Sequence, residues 1–119
     1  MIKRYILLPL LLVALASCES TTYEEIQDNT VIEGDVTYNA NVKTIIDANC
    51  VSCHNPGGSA SFRPLSTYTQ VKDAVENAGL LDRIQRQNGE DGVMPQAGRM
   101  PQSTINIILE WENDGLLEN

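Results

Sequence analysis

Cys50-Val51-Ser52-Cys53-His54 places two thiols and the only imidazole of the chain side by side. The order C-x-x-C-H is the attachment spacing of a c-type haem. Each thiol can form a thioether with one haem vinyl group, and the adjacent imidazole can then ligate the iron. Three other chemistries use part of this set. Structural zinc nearly always takes four protein ligands, but the third cysteine, Cys18, lies far upstream and no second histidine exists. A thioredoxin-like pair belongs beside a βαβ pattern, and the sequence contains no convincing strand. A disulfide between Cys50 and Cys53 stays open in an oxidising compartment.

The motif needs elements that aim it. Val42, Ile45, Ile46 and Ala48 give residues 41–49 a helical apolar face, with Asn39 or Asn41 available as its cap. If that helix runs into the motif, positions 50, 53 and 54 share one face and address one porphyrin. Asn55 to Ser61 holds a proline and two glycines and cannot stay helical. Phe62, Pro64 and Leu65 follow as candidates to wall a pocket. Ser66-Thr67 starts a helix reaching about Ala78, with Tyr68, Val71 and Val75 on its apolar face and Gly79 as its stop. Leu80, Leu81 and Ile84 continue into a short helix ending near Arg86, and residues 88–92 form a loop. Ser103 caps a last helix from Thr104 to Asn113 that turns Ile105, Ile108, Leu109 and Trp111 inward. There are no internal repeats, and the fold expected is all-α.

An iron held by His54 has a second axial position. Intramolecular bis-histidine ligation is excluded by the histidine count. Met94 and Met100 remain, each followed by proline in a Gly/Pro-rich loop rather than on a helical face. A thioether opposite imidazole is the ligation of electron-transfer cytochromes. Isolated methionines otherwise serve as core filler.

Length and charge narrow the rest. The 119 residues allow one domain, and with 5% aromatic content an apolar cofactor would form part of the core. The net charge is −8, and removal of Lys3 and Arg4 with a leader would leave 6 basic and 16 acidic residues, or −10. Such a surface does not bind nucleic acid by charge and attracts basic partners instead. The same acidity also serves simply to keep an exported protein soluble.

Met1 to Ser17 has a basic start and an apolar run too short to span a bilayer, the pattern of a signal peptide. Its end, Leu15-Ala16-Ser17-Cys18, resembles the lipobox of bacterial lipoproteins, which implies that Cys18 becomes a lipidated N-terminus; cleavage near Ser17 is the alternative. Glu19 to about Tyr38 is acidic and Thr-rich with little to bury. About 20 such residues reach roughly 25 Å as a coil. A packed N-terminal arm, with Val31-Ile32 as its anchor, is the competing expectation.

C-x-x-C-H after a first helix, a Met-Pro loop, and a final helix carrying Trp111 and ending in Asp114-Gly115 together resemble a small class I mono-haem cytochrome c. The likeness is greatest to the cytochrome c domains of bacterial surface lipoproteins, and it spans Asn39 to Leu117. It implies a small cytochrome c-like fold of three to four helices around one covalently bound haem c. The chain then divides into a signal peptide (1–17), an acidic flexible tether with lipidated Cys18 (18–38) and a cytochrome c domain (39–119). The resemblance makes Cys50 and Cys53 the thioether residues, His54 the proximal ligand and Met94 the distal one, with Met100 as the alternative. It implies that the first and last helices cross near the haem, and that a carbonyl after the motif, Pro64 being nearest, accepts the second imidazole N–H. Arg63 and Arg99 become candidates to pair with haem propionates, or are solvated charges.

The activity so implied is electron transfer without a catalytic residue. The protein would be exported and lipid-anchored on the periplasmic or outer-surface side of a bacterial membrane. Its partners would be redox donor and acceptor proteins, basic ones favoured by charge, meeting it through small transient interfaces. Two other functions use the same motif. An open sixth position would suit a gas sensor or a peroxidase-like enzyme, and a mainly structural haem would suit an accessory module of a larger surface assembly.

Overall fold

Helix formation starts at a reciprocal pair of side-chain bonds. The Thr37 hydroxyl accepts from the Ala40 N–H at 3.3 Å, and the Asn41 carboxamide oxygen accepts from the Thr37 N–H at 3.0 Å. Both close backbone groups that a helix N-terminus leaves open. Thr37 is therefore the cap, in place of Asn39 or Asn41. A π-helical turn over Tyr38–Val42 follows and passes directly into α1, Lys43–Asn49. The computed structural model describes residues 32–119. The leader, Cys18 and the tether up to residue 31 lie outside the described residues.

Three further helices complete the architecture: α2 (Tyr68–Asn77), α3 (Leu80–Gln85) and α4 (Gln102–Asn113). The described residues contain helices and no strand, in keeping with an all-α fold. Thr67 caps α2 by accepting from the Gln70 N–H, while the Gln70 side chain accepts from the Ser66 N–H at 2.8 Å. Gly79, at φ +67°, ends α2 in the left-handed conformation that glycine adopts without penalty, and α3 begins at the next residue.

The last helix begins earlier than its Ser103 cap predicts. Pro101, at φ −53° and ψ 146°, precedes it and its carbonyl accepts the Ile105 N–H at 3.1 Å. The proline ring fixes φ and sets the direction of entry, so Ser103 falls inside the first turn. The buried faces also differ from the periodic reading. Ala48 is exposed, Val75 and Leu109 are half-buried, and Ala74 lies in the core.

Trp111 is the largest side chain with no exposure. Tyr38 and Tyr68 pack against it with ring centroids 5.8 and 6.3 Å away, and against each other at 5.5 Å. Tilted aromatic pairs of this kind add about 0.5–1.5 kcal/mol beyond the area they bury. The residues after α4 fold back over the cluster as a row of acceptors. Trp111 Nε1 donates to the Leu117 carbonyl at 2.7 Å, and the Tyr68 hydroxyl donates to the Leu116 carbonyl at 2.8 Å. The backbone N–H groups of Tyr38 and Asn39 donate to Leu117 and Glu118. Val36, which the sequence reading places in the tether, is fully buried, and its N–H donates to the Asp114 carboxylate at 2.7 Å. Tyr38 is 2% exposed, and Ile32 packs against the same core. Packing therefore reaches back at least to Ile32, ahead of the expected start at Asn39, as the packed-arm alternative requires.

The two tyrosines of the cluster should respond oppositely to loss of their hydroxyls. The Tyr38 hydroxyl is buried with no protein partner among the described residues, and burial holds its pKa above the ordinary 10.0. Tyr38→Phe should leave stability unchanged or raise it, whereas Tyr68→Phe should lower it by about 1 kcal/mol, the usual net value of one hydrogen bond. Urea denaturation followed by Trp111 fluorescence measures both; equal losses would contradict the assignment.

Candidate functional site: the C-x-x-C-H turn and the Met94 loop around one cavity

The motif does not extend α1; it follows it. Cys50 leaves helical geometry at φ −122° while its N–H still donates to Ile46, and His54 and Cys53 then close turns onto the Cys50 carbonyl at 2.9 and 3.2 Å. The i to i+4 bond keeps Cys50 and His54 on one side of this turn. Residues 50–54 form turns and not a helix, so the three residues do not present a helical face, and Cys53 is exposed. Both cysteines are free thiols.

Residues 55–61 wrap tightly under the motif. The Cys53 carbonyl accepts from the Ala60 N–H at 3.0 Å, which brings Gly58 so close that a Cβ there would lie 2.1 Å from that oxygen. No side chain fits. Asn55 braces the turn, donating to the Val51 carbonyl at 2.7 Å and accepting from the Gly57 N–H at 2.8 Å.

The wrap returns the chain to His54. The Leu65 N–H donates to the His54 carbonyl at 2.8 Å, and His54 Nδ1 lies 2.7 Å from the Arg63 carbonyl. The acceptor is Arg63 and not Pro64. Because a carbonyl can only accept, Nδ1 carries the proton and the imidazole lone pair resides on Nε2. Nε2 has no protein partner among the described residues. That is the tautomer competent to bind a metal, with its ring orientation fixed by a second bond.

His54 lines a cavity of about 270 Å³. Asn49 and Cys50 form one wall, and Phe62, Arg63 and Leu65 continue it. Ala74 of α2, Ala78 just beyond its end, Leu80, Arg83 and Ile84 of α3, and the Met94-Pro95 pair complete the lining. No residue of α4 lines it. The apolar face of α4 is already used by Trp111, Ile105 and Ile108, all with zero exposure.

The two methionines are separated by this arrangement. Met94 stands on the cavity wall, its N–H donating to the Arg83 carbonyl at 3.1 Å. Met100 is 4% exposed in the packed core and does not line the cavity. The arginines divide similarly. Arg63 lines the cavity and pairs with Asp73 at 3.2 Å, while Arg99 turns to the Met100 carbonyl and the Gln102 side chain. Phe62 is 86% exposed, so it sits at the rim and does not close the wall.

Arg83, Ala74 and Ala78 are cavity residues that pattern reading missed. Their signals were present. Arg83 is a cation within the i, i+3, i+4 stripe formed with Leu80 and Ile84, and the two alanines stand four apart at the end of α2, leaving space where large side chains would fill it.

Burial pushes the Cys50 thiol from its ordinary 9.0 up to about 11. Between those values the thiol stays protonated in the fold while the unfolded chain ionises. The unfolded state then binds fewer protons, so stability falls as pH rises from about 9 to about 11. Among the described residues, no three His, Cys, Asp or Glu side chains come together to hold a metal. No described helix is long and apolar enough to cross a membrane. In comparisons with known protein families, curated proteins and solved structures, nothing matches this chain.

Two measurements on the protein probe the site. Cys50→Ala should flatten the decline in stability across the alkaline range; an unchanged decline would mean that the Cys50 thiol is not its source. Gly58→Ala should cost on the order of 2 kcal/mol or more, because the nearest obstruction is backbone. A melting curve identical to wild type would contradict the close approach at Cys53.

Proposed function

We propose that the protein is a membrane-anchored mono-haem c-type cytochrome that carries electrons between partner proteins. The observation that carries this reading is that Cys50 and His54 from the C-x-x-C-H turn and Met94 from the loop after α3 line one cavity. Donor chemistry fits the group. An imidazole with its Nε2 lone pair free and a thioether on the same cavity are the axial pair of a low-spin electron carrier. Cys50 and Cys53 would hold the haem covalently, and His54 and Met94 would ligate it. When bound, the haem supplies one-electron redox chemistry.

The chain's own residues do the rest. Arg63 holds the His54 proton at Nδ1, so the ring keeps its tautomer and its lone pair is strengthened by hydrogen bonding at the far nitrogen. Leu65, Ala74, Ala78, Leu80 and Ile84 give the cavity an apolar lining. Arg63 and Arg83 both line the cavity and bring positive charge to it, which suits haem carboxylates; Arg99 is engaged elsewhere. Cys18 as a lipidated residue would keep the domain near a membrane, with the acidic residues before the packed arm as its tether.

The deciding experiment is expression of the exported chain in a host that attaches c-type haem, followed by oxidised and reduced spectra. A covalent, low-spin haem that carbon monoxide leaves unchanged is expected. A high-spin haem that shifts with carbon monoxide would favour the gas sensor or peroxidase-like enzyme, and no haem at all would end both readings. Met94→Ala should convert the protein to the high-spin form. Met100→Ala should leave the spectrum low-spin and cost about 2–5 kcal/mol, the usual range for truncating a buried methionine. A reversed pair of results would exchange the two methionines. Reduction by a basic partner should also slow steeply as salt is added, since the steering charge is screened; a flat profile would remove charge steering.

A further inference from the structure

Between α3 and α4 the chain contains no helix, and Met94 lies within that segment. Its position therefore has to be set by contacts from a regular element. The last turn of α3 supplies them. The Arg83 carbonyl accepts from the Met94 N–H at 3.1 Å, and the Arg83 guanidinium donates to the Gly92 carbonyl at 3.4 Å. Arg86 donates through one terminal nitrogen to the Asp91 carbonyl. Its Nε and its other terminal nitrogen hold the Asp82 carboxylate at 3.1 and 2.5 Å. Residues 91, 92 and 94 are thus all tied to one helical turn.

An ion pair exposed to this degree contributes little stability. Its effect is directional. A guanidinium is a rigid planar fork, so fixing one edge on Asp82 decides where the remaining nitrogen points. That nitrogen reaches the loop backbone. Gly92 makes room for it: the residue has φ +75°, and a Cβ there would lie 2.6 Å from a terminal nitrogen of Arg86.

We propose that Arg86, oriented by Asp82, is the positioning residue for Met94, holding the thioether-bearing loop on the cavity wall. The inference rests on the reading of Met94 as the distal ligand. Arg86 touches neither the cavity nor Met94; it acts through the Asp91 carbonyl, and Gly92 transmits the restraint. When the clamp is released, the loop leaves the wall and the sixth position opens to external ligands.

The test combines amide hydrogen exchange on the haem-free chain with carbon monoxide binding to the reduced, haem-loaded chain. Arg86→Ala should accelerate exchange at the Met94 N–H by about tenfold, the equivalent of one charged hydrogen bond. The same variant should bind carbon monoxide where the wild type does not, while the amides of Ile105 to Trp111 keep their protection. Arg86→Lys keeps one charged donor and should recover part of both effects. Gly92→Ala, which displaces the guanidinium from the loop side, should reproduce them. Unchanged Met94 exchange and unchanged refusal of carbon monoxide in Arg86→Ala would overturn the positioning role and leave electron transfer intact. Loss of protection throughout α4 would also overturn it, since Arg86 would then be a general structural residue. Carbon monoxide binding by the wild type would instead remove Met94 ligation itself, a failure recognisable before any substitution is made.

Discussion

Trp111 and the backbone carbonyls that follow it bind the ends of the described chain together. Residues 116–118 accept hydrogen bonds from the Trp111 indole, the Tyr68 hydroxyl and the Tyr38 and Asn39 amides. One short segment thereby connects α4, α2 and the start of the first helix. The segment is held in an unfavourable backbone state to do so. Leu116 has φ +58°, which a side-chain-bearing residue adopts only when its surroundings over-determine it. Its burial and its N–H bond to the Trp111 carbonyl supply that determination.

Anchoring α4 in this way decides where the cavity lies. Ile105, Ile108 and Trp111 of that helix are fully buried in the core, and none of its residues lines the cavity. The free volume forms instead where small side chains stand, between Ala74 and Ala78 and the wrap after His54. Met100, at the entrance to α4, is drawn into the core with that helix. Met94 is held by α3 and remains on the cavity. The distinction between two Met-Pro pairs of nearly equal appearance therefore comes from which helix each is tied to.

The motif itself occupies two environments. Cys50 is sheltered enough for burial to keep its thiol protonated, while Cys53 one turn later is exposed. His54, next to Cys53, has one nitrogen committed to a carbonyl and the other free. A sharp wrap is needed to bring that carbonyl back nine residues later, and the wrap works only because position 58 has no side chain. Glycine there is a condition for the imidazole's orientation as well as for the turn.

Local chemistry was legible from the amino-acid sequence. Four helical segments, the stops at Gly79 and Gly115, and the grouping of two thiols with an imidazole all follow from interactions between residues a few positions apart. The helix caps were less secure, because Thr37, Asn39, Asn41 and Ser103 are comparable candidates until the entry direction of the chain is known. What the sequence could not decide was anything that depends on residues far apart sharing space. Val36 and Tyr38 look like part of an acidic tether because their partners, Asp114 and Leu117, lie almost eighty residues away. Arg83 looks like a surface cation, and Arg63 and Arg99 look equivalent. Only tertiary packing separates them, since burial and long-range hydrogen bonding are properties of the assembled surfaces and leave no periodic trace along the chain.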